Sequence, residues 1–211
     1  MRSYGEYCAL ALALDVLGER WTLLIVRELL IRGACRYTDL QNGLPGVATN
    51  LLAERLREME KAGIVRREDA PPPVATTLFR LTERGEQLRP IIHAIASWGG
   101  PLAARPIGDE EFRSHWLKLP LEMHLTDRTP GKPPVVIEVR TGDEPMLVET
   151  ADGSVRARPG RAEHPDAIIT GTGSQVLGLM TGKLDLGEAR RRGLQFEGSE
   201  EALFRVVKEK S

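Results

Sequence analysis

The stretch from Arg36 to Leu81 constrains the fold more than any other part of the chain. Arg36-Tyr37-Thr38-Asp39-Leu40-Gln41 begins a short helix, in which Thr38 and Gln41 stand at the spacing of a reciprocal N-terminal cap. Asn42-Gly43-Leu44-Pro45-Gly46 is turn chemistry. A longer helix follows from Thr49 to Ala62, ended by Gly63. At 100° per residue, Ala48, Leu52, Leu56, Met59 and Gly63 fall within about 40° of one line, the face a core would cover. Ile64–Asp69 and Thr76–Leu81 have the pattern of strands, and Pro71-Pro72-Pro73 between them cannot be helical. Short helix, tight turn, longer helix and hairpin together predict a winged helix-turn-helix.

Leu14, Leu17, Trp21, Leu24, Ile25 and Leu29 recur at three- and four-residue spacing, predicting a helix over Tyr7–Leu17, a break at Gly18, and a second helix from Glu19 to Ile31 stopped by Gly33. Thr82 caps a long helix reaching about Ser97 and closed by Gly99-Gly100-Pro101. From Arg105 the texture changes. Pro134–Arg140, Pro145–Glu149, Ser154–Arg158, Ala167–Ile169 and Leu194–Glu197 are short β-rich runs, the second and third joined by Ala151-Asp152-Gly153. Helices are expected near Ser174–Thr181 and Ser199–Lys208, and another around the acidic residues 109–111, Phe112 and Trp116. The reading is an α+β chain of two domains, 1–104 and 105–211, with the linker at Gly99–Gly108.

Charge and residue usage exclude several function classes. The 29 Lys+Arg and 30 Asp+Glu leave a net charge of −1, which rules out histone-like binding but not a locally basic face. Cys8 and Cys35 cannot build a disulfide framework, and His93, His115, His124 and His164 are scattered, so no metal or cofactor is expected. No apolar run reaches the ~18 residues of a membrane span, and the expected location is the cytoplasm. Gly171-Thr172-Gly173 has Val176 where a dinucleotide loop needs its last glycine, and Thr172 with Gln175 has cap spacing instead. Arg190-Arg191-Arg192 fits a solvated helix end. No catalytic constellation is present, and an enzyme is not expected.

The polar side of the longer helix carries the functional expectation. Thr49, Asn50, Ala53, Glu54, Arg57 and Lys61 could face a duplex, and amide or guanidinium groups there reach base edges. A merely solvated face would look the same. The hairpin tilts the balance, because Arg66, Arg67 and Arg80 could meet phosphates from its strands, its tip, Ala70–Ala75, having no cation. Thr38 on the preceding helix completes the predicted DNA-binding set.

Ala13 through Ile25, Arg36–Gln41, Leu44-Pro45-Gly46, Leu52–Gly63 and Phe79–Gly85 resemble HxlR-type, MarR-like transcriptional regulators. The resemblance covers roughly residues 7–104. It implies a homodimer built by the first and last helices, here Tyr7–Leu17 and Thr82–Trp98, with the Thr49–Lys61 helix in the major groove of double-stranded DNA. Ala48 departs from the family's capping serine, and Thr49 would cap one residue later. Cys8 matches a cysteine that senses oxidants in some members; a small buried hydrophobe is the competing reading.

Asp166–Thr172, Val176–Asp185, Gly193–Gly198 and the Ser199–Val207 helix resemble the sterol-carrier-protein-2-like fold. That resemblance implies an apolar tunnel lined by Val176, Leu179, Met180, Leu184, Phe196, Leu203, Phe204 and Val207, with Met146 and Trp116 as further candidates; the same side chains would equally serve as plain core. The combined expectation is a regulator modulated by a hydrophobic small molecule. The alternative is a lipid carrier whose winged helix only dimerises.

Overall fold

The structure is a computed structural model that describes residues 3–70, 76–103 and 110–207. The Pro71–Pro73 turn, the part of the linker from residue 104 to 108 and Lys208 lie outside them. The chain divides into two compact units, Met1–Ser97 and Trp98–Ser211.

The first unit opens with α1 (Ala9–Leu17) and α2 (Thr22–Arg32). The second helix begins three residues later than periodicity suggests. Trp21 takes a left-handed φ of 80°, so Glu19–Trp21 form a turn, and the Trp21 carbonyl accepts the Ile25 N–H at 2.8 Å. Next come β1 (Cys35–Arg36), α3 (Tyr37–Gly43), α4 (Thr49–Lys61), β2 (Val65–Asp69) and β3 (Thr77–Leu81). The hairpin gains a third strand that was not expected: the sheet runs β1-β3-β2, with Cys35 opposite Phe79.

Two caps differ from the expectation. Helix α3 starts at Tyr37, so Asp39, not Gln41, is the residue one turn in; its carboxylate accepts the Arg36 N–H at 2.8 Å. Ala48, not Thr49, precedes α4, and Thr49 is its first helical residue. The long helix after Thr82 is also broken. The Thr82 hydroxyl accepts the Gly85 N–H at 3.1 Å as expected, but α5 (Glu83–Glu86) stops and α6 (Arg89–Gly99) restarts. Pro90 is the cause, because it has no N–H for the Glu86 carbonyl and its ring would strike that oxygen in a continuous helix. The apolar face of α4 lies where periodicity puts it: Leu52, Leu56 and Met59 are buried with Ile25, Val26, Leu29, Leu40 and Leu44.

The second unit is a five-stranded sheet, β6-β5-β4-β7-β8, from β4 (Val136–Arg140), β5 (Met146–Ala151), β6 (Ser154–Pro159), β7 (Ala167–Thr170) and β8 (Gln195–Gly198). Only β4 and β7 run parallel. The β5–β6 turn holds Asp152 at φ 52° and Gly153 at φ 76°, the primed geometry that two-residue hairpins need. The region of Phe112 and Trp116 forms a single 3-10 turn, Ser114–Leu117, that continues into α7 (Lys118–His124). Helices α8 (Gly173–Met180), α9 (Leu186–Arg191) and α10 (Glu200–Val206) follow; α9 was not anticipated, though Asp185 and Glu188 cap it reciprocally. Ile137, Val139, Ile169, Val176, Leu179 and Leu203 centre one apolar core. Arg205 forks onto Asp127 at 2.8 and 3.0 Å and also donates to the Lys132 carbonyl at 3.2 Å, tying α10 to the loop before β4. Among the described residues no helix is long and apolar enough to cross a membrane.

Neighbours Leu56 and Arg57 test the facing of α4, since the first is 1% exposed and the second lies in solvent. Leu56→Ala is expected to lower stability by about 2–5 kcal/mol in urea unfolding. Arg57→Ala should leave the midpoint almost unmoved; equal losses would mean that the helix is turned the other way.

Candidate nucleic-acid interface

The helix-turn-helix corner is held by a buried charge. Glu28 of α2 is fully buried in the apolar stripe of that helix, and the Arg27 guanidinium donates to its carboxylate at 2.8 and 3.1 Å. Arg27 also reaches the Gly43 carbonyl at 3.4 Å, and Arg32 approaches Glu28 from one turn along at 3.5 Å. Burial pulls the Arg27 pKa down while Glu28 supports it. A Cβ on Gly43 would collide with the Glu28 carboxylate, so a larger residue there would require that carboxylate to shift. The turn to α4 is thus set from beneath.

From above, the Tyr37 hydroxyl donates to the Thr49 carbonyl at 2.7 Å and the Gln41 amide donates to the Thr49 hydroxyl at 3.0 Å. These bonds tie the start of α4 to α3, although no side chain caps the helix itself. Arg55, a second charge missed in the sequence, is buried in α4 and pairs with Glu58 at 2.7 Å and Glu19 at 3.7 Å, fastening α4 to the turn before α2.

With its inner face so engaged, α4 exposes Thr49, Asn50, Glu54, Arg57 and Lys61, with Ala53 half-buried. Arg57 Nε donates to the Ala53 carbonyl at 3.2 Å, laying the side chain along the helix. Thr38 is exposed on α3. The wing arginines are not bare: Arg66 and Arg80 both pair with Glu68, and Arg67 pairs with Glu60 of α4 at 3.2 Å while lying over the Phe79 ring. Arg66 and Glu68 share a face of β2, strand register brings Arg80 to Glu68, and the approach of α4 brings Glu60 to Arg67.

Cys8 is exposed just ahead of α1, where the Ala11 and Leu10 N–H groups hold its thiol pKa below the usual value. Cys35 is buried against the wing sheet, and desolvation pushes its thiol up to about 12.

In the second unit, Val176, Leu179, Met180, Leu203 and Val207 are buried core, and Leu184, Phe196 and Phe204 pack against it half-buried. Met146 is buried and Trp116 half-buried. A cleft of about 340 Å³ lies at the ends of β4 and β7, lined by Arg140, Asp143, Glu144, Arg161 and Thr170 among others and by none of those apolar side chains. Thr172 and Gln175 cap α8 reciprocally at 2.8 and 3.3 Å. Arg190 pairs with Glu200 at 3.1 Å and lies over Phe196. No group of three potential metal ligands occurs among the described residues.

Comparison with known proteins identifies a helix-turn-helix chain. The family model described as HxlR-like helix-turn-helix matches residues 16–105. YvaP of Bacillus subtilis, named an uncharacterized HTH-type transcriptional regulator, is 37% identical over 86 residues, spanning 41% of this chain and 79% of its own. The HTH-type regulator sll1512 of Synechocystis is 34% identical over 95 residues, spanning 45% and 70%. The reduced form of the transcriptional regulator YodB from Bacillus subtilis shares 30% identity with a TM-score of 0.40, covering 44% of this chain and 92% of that one. The relatives are named as regulators and not as enzymes.

The two thiols should separate in a titration with a disulfide reagent at neutral pH. Cys8 is expected to react at once in the folded chain and Cys35 only after denaturant is added. Because the folded state holds the Cys35 proton more tightly, stability should fall as pH rises above the ordinary thiol range towards about 12. Equal rates for both thiols would contradict the burial of Cys35.

Proposed function

The chain belongs to the HxlR-like helix-turn-helix family of transcriptional regulators, and on that premise we propose that two copies pair through α1 and α6 and set their α4 helices into successive major grooves of one operator. The observation that carries the pairing is exposed apolar surface on those two helices. Leu10, Leu12 and Leu14 of α1, with Tyr7 just before it, and Ile91, Ile95 and Trp98 of α6 are all large and exposed, Leu10 at 68% and Trp98 at 77%. Large apolar side chains exposed in such number along two helices mark a surface suited to a protein partner. Two copies would bring a pair of α4 helices to half-sites about 34 Å apart.

Within each half-site, Asn50 and Arg57 are the base-reading candidates, with Thr49, Ala53 and Glu54 flanking them. Thr38, Lys61 and the wing arginines Arg66, Arg67 and Arg80 are the phosphate-facing set. Exposure of the polar side of α4 supports this division. In the same reading the second unit takes a hydrophobic effector among Val176, Leu179, Met180, Leu184, Phe196, Leu203, Phe204 and Val207. Its support is the resemblance to lipid-carrying folds. These side chains are close-packed, so entry requires a helix to move aside, and the effector acts through its unequal affinity for the closed and opened states. Cys8 is the proposed oxidant-responsive thiol, with its exposure and lowered pKa in support.

A gel shift with the DNA flanking the protein's own gene tests the reading. A complex that weakens with salt at a log–log slope of several phosphates is expected; no complex at low salt would favour a carrier. Arg57→Ala should weaken operator binding by about 1–3 kcal/mol. Leu10→Glu should shift sedimentation from dimer to monomer and abolish the shift. Native mass spectrometry of the purified protein should show a co-purified small molecule, and a bare chain mass would remove the effector.

A further inference from the structure

The wing carries three arginines, yet the structure does not offer them as free charge to DNA. Register places Arg66 of β2 directly opposite Arg80 of β3, an arrangement in which like charges repel. Glu68 lies two residues along β2 and therefore on the same face. Its carboxylate spans the pair, 2.6 Å from Arg66 at one oxygen and 2.7 Å from Arg80 at the other. Arg67, on the opposite face, is engaged by Glu60 at 3.2 Å. Three cations thus meet two carboxylates. The rest of this half does not make up the deficit: residues 1–104 hold 13 Lys+Arg and 12 Asp+Glu, a difference of +1.

Resting on the DNA-binding reading above, we propose that Glu68 is a specificity-setting residue: it withholds Arg66 and Arg80 from the phosphate backbone, so that duplex of the wrong sequence is held weakly. Phosphate attraction supplies essentially all of non-specific binding, whereas base contacts discriminate. A carboxylate on the wing subtracts from the first and leaves the second, which belongs to α4, untouched. The bridge is half-exposed, with Arg66 at 58%, Arg80 at 43% and Glu68 at 32% side-chain exposure. Exposed pairs of this kind are weak. An operator phosphate brought close by α4 can therefore displace Glu68, while a transient encounter with other DNA gains little.

The test uses the full-length protein and a mixed-sequence duplex a few helical turns long, followed by fluorescence anisotropy across a salt series. E68Q keeps the shape and removes the charge. It is expected to bind that duplex about three- to tenfold tighter at low salt, with a log–log salt slope steeper by about one to two. In an R66Q/R80Q background the same substitution should do far less. E68Q binding no tighter than wild type, or an undiminished gain without the two arginines, overturns the proposal while wild-type binding leaves the DNA-binding reading standing. Folded wild-type and E68Q proteins that both ignore the duplex at low salt would remove that reading and this proposal with it.

Discussion

The Glu28 carboxylate, sealed beneath the helix-turn-helix corner, is the interaction on which the first unit depends. A buried carboxylate is tolerated only when it is paired and hydrogen-bonded, and Arg27 supplies both while also holding the Gly43 carbonyl. That requirement favours glycine at the end of α3, because a side chain at position 43 would press on the carboxylate. The direction in which α4 leaves the turn follows, and with it the residues that α4 presents to solvent. An apolar residue at position 28 could fill space, but it could not anchor the Arg27 guanidinium that donates to the Gly43 carbonyl.

Much of this fold was legible in the residues wherever the signal is local. The period of Leu52, Leu56 and Met59 located the inner face of α4, and Thr82, Thr172 and Gln175 announced their helix starts. Asp152-Gly153 announced its turn. Failures come where distant parts of the chain decide. A two-residue strand such as β1 exists only because β3 offers it an edge. Glu28 and Arg55 are charged residues on faces that composition assigns to water, and their burial depends on partners elsewhere. Pro90 was plain to see, yet the apolar spacing across it favoured one continuous helix, and the missing N–H prevailed. At the interface, the outward side of α4 could be read from periodicity. That every wing arginine has an acidic partner could not, because strand register and the approach of α4 set it.

Electrostatically, the first unit is close to balanced and relies on arrangement more than on total charge. Arg55 is spent inside, Arg27 secures a turn, and the wing arginines are tethered. What remains outward on α4 is a short run of hydroxyl, amide, carboxylate, guanidinium and ammonium groups. In the proposed contact with DNA, such a surface would discriminate by geometry, since its long-range pull on a polyanion is small. The second unit differs in kind: its sheet and helices close over an apolar core, and a cleft lies at the strand ends.

The interruption between α5 and α6 has a mechanical meaning. A continuous helix would act as a shaft, turning the wing whenever its far end turned. Two helices meeting at Gln87 and Leu88 form a joint instead, so tilting of α6 need not drag β3 and the wing along with it. A rearrangement at the apolar surface of α6 can then be absorbed at the joint, or passed on selectively through the buried side chains Leu88 and Ile92.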